Sequence, residues 1–397
     1  MVFIYNCEYD EGRRKDKMNK WKEMRVKEFA SIVAGGTPST TKEEYWNGNI
    51  SWITPADLSK HNFKYISNGD RNISELGLQK SSACLLPENT VLLSSRAPIG
   101  YVAIAKTELA TNQGFKNFIC DETKVDYQFV YYWLFLNTEV LKSYASGATF
   151  PEISASTVKR IKAIIPDLPT QKRIVDILSA YDDLIENNNR RIALLEKAAQ
   201  ELYKEWFVRF RFPGHENAEF EYGLPKKWEI KKVKDVIKRY PFGTLYKGDN
   251  ILSEGKIIII DQSVSNYAGF HNDEPSHIAT IDQPMILFGD HTCKYQLMIT
   301  PFSLSENVVP FAGIQEIDTI YLFYLVNGII KTTEYKRHWK EFVNKKIIVA
   351  DKHLQGLFNK KIKDNLLLIE SLRFQNNNLS KQRDLLLPRL MSGKLEV

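Results

Sequence analysis

The sequence predicts an α+β protein in which two mixed α/β globular units are joined by two long antiparallel coiled-coil helices, with a pseudo-twofold internal repeat. Three observations predict this fold class: a heptad pattern of apolar residues in mid-chain, a second copy of that pattern near residue 397, and a larger repeat that encloses both helices. The predicted order along the chain is therefore globular unit, long helix, globular unit, long helix.

The first long helix, a central spacer, is predicted over residues 166–212. From Thr170 to Phe212 the chain contains no proline or glycine, so at about 1.5 Å per residue it can form one helix roughly 60 Å long. Apolar residues recur at heptad spacing, and Asn188 is the one polar residue in the stripe. Such a stripe also fits a core-facing helix of a globular bundle, so this segment alone leaves both arrangements open.

A second helix is predicted over residues 351–397, because a shift of 184 residues places Ile185 on Ile369 and Leu195 on Leu379. A chain that runs out along one helix and returns along the other must place the two antiparallel. Asn376 and Arg383 are polar residues on the second stripe, and such residues fix the register of paired helices. The contact predicted between the helices, here called the helix-pair seam, comprises Ile185, Ile192, Leu195, Leu202, Ile369, Leu372, Leu379 and Leu386.

The larger repeat relates the two globular units. Segments beginning at Trp21 and Trp228 are similar at an offset of 207, and segments beginning at Asp126 and Asp318 are similar at an offset of 192. Because the offset falls steadily, the second unit is predicted to be the first unit with shorter loops. The predicted boundaries are a flexible extension at 1–20, a first unit at 21–165, a linker at 213–224 and a second unit at 225–350.

Short apolar runs bounded by turn residues predict strands in both units, and in each unit one helix follows the strands. In the first unit the predicted strands are 50–53, 90–94, 101–105 and 117–120, with a helix at 128–143. In the second unit they are 256–261, 285–288, 296–300 and 307–311, with a helix at 319–330.

The composition is that of an ordinary globular protein, with 43% hydrophobic and 26% charged residues. No run of 18 apolar residues and no signal-peptide pattern occurs, so we expect neither a membrane span nor secretion, and a cytoplasmic location. The four cysteines lie far apart, which predicts neither a disulfide framework nor a zinc site. A net charge of +6 is compatible with a polyanionic partner.

Catalytic signatures are scarce. The sequence contains no dinucleotide-binding or Walker loop, no zinc-binding HExxH and no glycine-rich AdoMet loop, so we expect no enzyme activity, metal or cofactor in this chain. One weak alternative is a nuclease centre formed by Asp318 with Glu334, Tyr335 and Lys336, because two carboxylates and a lysine can hold Mg²⁺ and a phosphate. That spacing also arises easily by chance.

Several motifs together resemble the specificity subunit of type I restriction–modification enzymes over residues 18–397. They are GGTPS at 35–39, WITPADL at 52–58, LSSRAPIG at 93–100, TNQGFK at 111–116, LPTQ at 168–171 and RDLLLPRL at 383–390. The resemblance implies that residues 21–165 and 225–350 are target-recognition domains, each reading one half of a bipartite, asymmetric double-stranded DNA target. It further implies that the paired helices set the half-site spacing and dock two methyltransferase subunits. The resemblance also implies that restriction/translocase subunits join, and that the partner subunits, not this chain, use AdoMet, ATP and Mg²⁺.

Arginine can pair with guanine and an amide with adenine, whereas lysine mostly contacts phosphate, so polar residues at predicted strand ends are the candidates for DNA contact. They are Arg96, Asn112, Gln113 and Lys116 in the first unit, and Lys247, Lys294 and Asn307 in the second. Structural alternatives remain for these positions: a structural role for Arg96, and a turn at Asn112 and Gln113. Trp46 and Trp52 are better explained by packing than by base stacking.

The second unit departs from the first at one motif, since FGDHT at 288–292 stands where the first unit has SSRAP at 94–98. The half-site of the second unit therefore does not follow from the first. Two other function classes stay open at this point: a coiled-coil adaptor that does not touch nucleic acid, and a stand-alone DNA-processing enzyme.

Overall fold

The computed structural model describes residues 21–397 except 62, 97, 148–150, 264–266, 333 and 335. The chain divides into two compact units: unit 1 combines the residues up to Asn188 with Phe374–Val397, and unit 2 is Asn189–Arg373. Each unit therefore contains part of both long helices. The sequence instead predicted the helices as segments distinct from the globular units. The extension predicted at 1–20 lies outside the described residues.

Unit 1 is built on a five-stranded sheet in the order β2-β9-β6-β7-β4. Its strands are β1 (Lys22–Arg25), β2 (Ala30–Ala34), β3 (Trp46–Ile53), β4 (Tyr65–Ile66), β5 (Arg71–Ile73), β6 (Val91–Ser95), β7 (Ile99–Ala105), β8 (Ala110–Thr111), β9 (Phe115–Cys120) and β10 (Lys162–Ile165). All five residues of β6 are buried, as expected for the central strand of a sheet covered on both faces. A three-stranded sheet β5-β3-β8 and the pair β1-β10 complete the unit.

Six short helices pack on the two sheets of unit 1, α3 on the three-stranded sheet and the others on the five-stranded sheet. They are α1 (Val26–Phe29), α2 (Pro55–Ser59), α3 (Glu75–Gln79), α4 (Tyr127–Leu136), α5 (Thr138–Ser143) and α6 (Ala155–Arg160). Asp126 caps α4 by accepting hydrogen bonds from the backbone N–H groups of Gln128 and Phe129. The single helix predicted at 128–143 is divided at Asn137, whose ψ of 12° leaves the helical region.

Unit 2 repeats this plan with shorter loops. Its strands are β11 (Phe220–Glu221), β12 (Leu224–Pro225), β13 (Glu229–Lys232), β14 (Ile237–Arg239), β15 (Ile257–Ile260), β16 (Gly269–His271), β17 (Met285–Gly289), β18 (Tyr295–Met298), β19 (Phe302–Leu304), β20 (Val308–Gly313) and β21 (Lys346–Val349). Helix α8 (Thr319–Val326) ends four residues before the predicted end, because Gly328 at φ 82° occupies a left-handed position. Helix α9 (Trp339–Asn344) follows.

The sheets of the two units share one topology, apart from the edge strand β4, which unit 1 alone has among the described residues. The order β14-β20-β17-β18 repeats β2-β9-β6-β7, the order β16-β15-β19 repeats β5-β3-β8, and the pair β13-β21 repeats β1-β10. Even the directions agree, since β3 pairs antiparallel with β5 and parallel with β8, as β15 does with β16 and β19. The predicted internal repeat and mixed α/β units are confirmed.

The two long helices are the regular elements α7 (Leu168–Tyr203) and α10 (Lys352–Met391). Helix α7 passes into a π-helical turn at Lys204–Val208 and stops there, short of residue 212. Within each unit α7 and α10 are antiparallel, since residues further along α7 contact residues that come earlier along α10. The contacting pairs are Asp182–Arg383 and Asn188–Asn376 in unit 1, and Glu196–Arg373 and Tyr203–Phe358 in unit 2.

Candidate nucleic-acid interface

The β6–β7 hairpin of unit 1 brings Arg96 to the end of the sheet. Ser95 donates its backbone N–H to the carbonyl of Gly114 at 2.7 Å and accepts from the N–H of Ile153 at 3.1 Å. These bonds place Arg96 beside Glu152, with 3.8 Å between guanidinium and carboxylate. The Arg96 side chain stays 35% exposed, so its remaining donors are accessible to a ligand. We call the cluster of Thr37, Ser95, Arg96, Gln113 and Glu152 the unit 1 corner.

Lys116 lies beneath this corner. Its side chain is only 6% exposed, and its ammonium is 2.9 Å from a Glu152 carboxylate oxygen. It also donates to the Ser95 hydroxyl at 3.1 Å. In this arrangement Lys116 fixes the carboxylate that pairs with Arg96, a supporting role that its sequence position does not reveal.

Asn112 and Gln113 form a turn before β9. The side-chain oxygen of Asn112 accepts from the Gly114 N–H at 2.8 Å, the Asx-turn arrangement that favours asparagine at such positions. Gln113 is exposed and accepts a hydrogen bond from the Thr37 hydroxyl. Asn112 therefore shapes the loop, whereas Gln113 presents its amide group at the surface.

The three candidates of unit 2 lie in different settings. Lys247 is exposed and pairs with Glu306. Lys294 is half-buried, and burial lowers the pKa of its ammonium against the opposing effect of Asp261. Asn307 occupies the left-handed region at φ 60°, and its carbonyl accepts from the N–H of Asp290 at 2.8 Å. Lys247 and Asn307 border one corner of the sheet, while Lys294 immediately precedes β18.

Trp46 and Trp52 pack together in the smaller sheet of unit 1. Their rings meet edge to face with centroids 5.1 Å apart, and Arg71 stacks on Trp46 with its guanidinium carbon 3.5 Å from the ring centroid. Both indoles are less than 10% exposed, at 7% and 5%. Burial of this extent is typical of packing side chains and leaves no ring face free for a base.

The helix-pair seam differs in burial along its length. Ile369 and Leu372 are 3% and 1% exposed, while Ile185, Ile192, Leu195, Leu202, Leu379 and Leu386 are half-buried. In unit 1 the polar rung is an amide pair, in which Asn188 donates to the side-chain oxygen of Asn376 at 2.9 Å. A hydrogen-bonded polar rung favours one register over its shifted alternatives.

A buried polar network ties α7 and α10 to helix α4 of unit 1. Asp182 accepts from Arg383 at 2.5 Å and from the Tyr132 hydroxyl at 2.5 Å. The Lys64 ammonium donates to Gln128 at 2.7 Å and lies 4.7 Å from the centre of the Tyr132 ring. Burial lowers the pKa of Lys64, and the nearby carboxylates, Asp182 first, act in the opposite direction. The network therefore links both long helices to α4 and, through Lys64, to the segment that precedes β4.

A buried glutamine anchors the beginning of each long helix. Gln171 of α7 accepts from the N–H of Asp126 at 2.8 Å and donates to the carbonyl of Pro166 at 2.8 Å. Gln355 of α10 makes the same two bonds, accepting from Asp318 at 2.9 Å and donating to Ala350 at 2.8 Å. Both side chains are almost fully buried, at 0% and 1% exposure.

Replacing Gln171 with leucine is expected to lower the free energy of unfolding of unit 1 by about 2–4 kcal/mol, because two or more buried backbone groups lose their partners. Gln355→Leu should destabilise unit 2 in the same way. The measurement is chemical denaturation of the full chain, with Gln200→Leu on the exposed face of α7 as control. Equal stability of Gln171→Leu and the control would show that these amides are not anchors.

The residues of the alternative nuclease centre have other roles. Asp318 precedes α8, where burial raises its pKa and Lys352 acts to lower it. Glu334 pairs with Lys336 at 3.3 Å on an exposed loop, and Tyr335 lies outside the described residues. Among the residues that the structure describes, no group of three or more His, Cys, Asp or Glu side chains could hold a metal ion. The same residues include no helix long and apolar enough to span a membrane.

Comparison with known proteins defines the class of this chain. The model of the type I restriction modification DNA specificity domain matches residues 18–197. A curated relative that is 33% identical aligns with 100% of this chain and spans 99% of its own length. The chain therefore belongs to the specificity subunits of type I restriction enzymes.

That relative is the type I restriction enzyme MjaIX specificity subunit of Methanocaldococcus jannaschii. The EcoR124I/EcoR124II specificity subunit of Escherichia coli is 28% identical over 51% of this chain and 52% of its own length. The fold is also similar to the crystal structure of a type I restriction–modification S subunit from M. genitalium. That structure has a TM-score of 0.56 at 16% identity and covers 93% of this chain and 96% of its own.

Proposed function

We propose that this chain reads a bipartite, asymmetric DNA target for a type I restriction–modification complex, with one half-site assigned to each unit. The observation that carries the proposal is the internal repeat: two units of one topology, each with polar and cationic side chains at the same sheet edge. Guanidinium and amide groups at exposed strand ends can reach base edges in the major groove, and lysines can hold phosphates.

The partners belong to the same proposal. We assign two methyltransferase subunits and the restriction/translocase subunits as protein partners, with AdoMet, ATP and Mg²⁺ used by those subunits and not by this chain. Large apolar side chains on the outer faces of the long helices support a docking role for the helices. They are Leu184 (51% exposed), Phe374 (67%) and Leu385 (66%) in unit 1, and Leu194 (67%) and Leu367 (44%) in unit 2. A cytoplasmic location follows from these partners.

A domain exchange tests whether each unit reads its own half-site. Residues 21–165 are replaced by the matching domain of a relative with a different target, and the chimera is co-expressed with the methyltransferase subunit. We expect selection from a random-core duplex library to return a target altered in one half only. Wild-type chain given AdoMet, ATP and Mg²⁺ without partners serves as control, and we expect it neither to methylate nor to cleave DNA.

Each other outcome has a definite meaning. A change in both halves of the selected target would show that the units read DNA jointly. Failure of the wild-type complex to select any split target would remove the proposed function itself. Turnover by the isolated chain that disappears in Glu334→Ala would favour the alternative of a DNA-processing enzyme, and assembly without DNA binding would favour an adaptor.

A further inference from the structure

The two units share one framework of backbone hydrogen bonds at the sheet edge. Backbone bonds do not depend on side-chain identity, so matching bonds align the units residue by residue. Four bonds of unit 1 have counterparts in unit 2. In unit 1 they are Gly36 N–Thr111 O (2.9 Å), Asn112 N–Ile53 O (3.0 Å), Ser95 N–Gly114 O (2.7 Å) and Ile153 N–Ser95 O (3.1 Å). In the same order, their counterparts in unit 2 are Tyr246 N–Leu304 O (3.0 Å), Ser305 N–Ile260 O (2.9 Å), Asp290 N–Asn307 O (2.8 Å) and His338 N–Asp290 O (2.8 Å).

This framework defines a unit 2 corner that corresponds to the unit 1 corner. Its residues are Lys247, Asp290, His291, Glu306 and Arg337, aligned in that order with Thr37, Ser95, Arg96, Gln113 and Glu152. The side chains support the alignment, because Thr37 bonds to Gln113 in unit 1 as Lys247 bonds to Glu306 in unit 2. The sequence comparison of 94–98 with 288–292 was wrong by one residue, since Ser95 aligns with Asp290 and not with Gly289.

Both corners hold a guanidinium beside a carboxylate, but the two groups have exchanged chain segments. In unit 1 the arginine is on the hairpin and Glu152 is on the facing segment, 3.8 Å away. In unit 2 the carboxylate of Asp290 is on the hairpin and Arg337 is on the facing segment, 3.9 Å away. The position aligned with Arg96 is His291, so sequence alignment alone does not identify the arginine of unit 2.

The carboxylate in each corner is held in place by other groups of the same unit. Glu152 is held by the buried ammonium of Lys116. Asp290 is 12% exposed, and its Oδ1 accepts from the N–H groups of His338 at 3.0 Å and Trp339 at 2.8 Å. Its Oδ2 lies 3.9 Å from Nε of Arg337, whose side chain is 77% exposed. Arg337 thus presents an exposed guanidinium beside a carboxylate that the backbone holds in place.

We propose that Arg337 is the base-reading arginine of unit 2 and recognises a guanine in the second half-site. The inference rests on the proposed function, and it adds a residue to that function. An arginine presents a planar fork of donors that matches the O6 and N7 acceptors of guanine, and this contact is the commonest specific one in the major groove. Lys247 of the same corner carries a point charge without a donor fork and therefore suits a phosphate contact better than a base contact.

The test compares Arg337→Lys and Arg337→Ala with wild type, each in complex with the methyltransferase subunit, by selection from the random-core library. Lysine keeps the charge and can hold a phosphate, but it lacks the bidentate fork. We expect both variants to lose discrimination at one guanine of the second half-site by about 5- to 150-fold, and to keep the first half-site unchanged. Lys234→Ala removes an exposed charge of the same unit and should leave every position unchanged.

The results that would overturn the role of Arg337 differ from the result that would refute the proposed function. Retention of the guanine preference by Arg337→Lys, with uniform weakening in Arg337→Ala, would make Arg337 a phosphate contact and overturn the proposal. Unchanged selection by both variants would overturn it as well. Absence of a split target for wild type would instead refute the proposed function. Circular dichroism and thermal melting matched to wild type are required of each variant, so that lost discrimination is not lost folding.

Discussion

Leu372→Asp is expected to separate α10 from α7 and to lower the free energy of unfolding of unit 2 by about 3–5 kcal/mol. Leu372 is 1% exposed and adjoins Arg373, which pairs with Glu196 of α7 at 2.7 Å. The substitution removes a buried apolar side chain and places a carboxylate without a partner in the same space. Thermal melting of the full chain should show a fall in Tm on the order of 10 °C.

Phe374→Asp is the matched control, two residues further along the same helix. Its side chain is 67% exposed, so the change in stability should stay within about 0.5 kcal/mol. If Phe374 belongs to the docking surface, this variant should fold normally and bind the methyltransferase subunit more weakly. A Tm equal to that of wild type for Leu372→Asp would contradict the placement of Leu372 in the helix-pair seam, whatever the result for Phe374→Asp.

A longer helix pair is expected to select a longer DNA spacer. One heptad inserted after Asn188 and another after Arg373 lengthen α7 and α10 by about 10.5 Å each, close to three base pairs. These points fall at the boundary between the units. They leave intact the contacts Asn188–Asn376 in unit 1 and Glu196–Arg373 in unit 2. The double insertion should prefer a spacer longer by about two to four base pairs.

Rotation of the DNA determines the size of this effect. Three base pairs turn the duplex by roughly 100°, because one helical turn takes about 10 base pairs, whereas a heptad turns the helix pair by only about 20°. The lengthened protein should therefore bind its original site poorly, and a control with one insertion only should lose the seam register. Selection of the original spacer at wild-type affinity would show that the helices do not set the half-site distance.

The sequence predicted the long helices because their signal is local and repeated. Every heptad from Ile185 to Leu202 carries an apolar residue at the same heptad position. The second copy of the pattern decides between a pair of helices and a single core-facing helix, which the first copy alone leaves open. The end of α7 was less predictable. Residues 204–208 contain no proline or glycine, but the chain adopts a π turn there, and aromatic packing of Phe207 against Trp228 and Tyr321 accompanies it. Such packing depends on residues distant in sequence.

The candidate interface was only partly predictable for the same reason. Arg96 became a candidate because the hairpin motif around it is distinctive, whereas the burial of Lys116 depends on Glu152, 36 positions away in the chain. Arg337 was not among the candidates from the sequence, since its segment has no sequence similarity to the one that carries Glu152. Only the backbone hydrogen bonds reveal that the two segments occupy equivalent positions.

Unit 1 is formed from two separate segments of the chain, and this arrangement affects how it folds during synthesis. Its core includes Leu387, Leu390 and Met391 of α10, packed with residues such as Phe129 and Leu178, although the whole of unit 2 lies between them in the chain. Domains ordinarily fold in the order in which the ribosome delivers them. Here unit 2 has all of its residues once Arg373 has been made, while unit 1 must wait for Phe374–Val397. The first unit to be translated is therefore the last to be completed, and until then its apolar surface is open to chaperones.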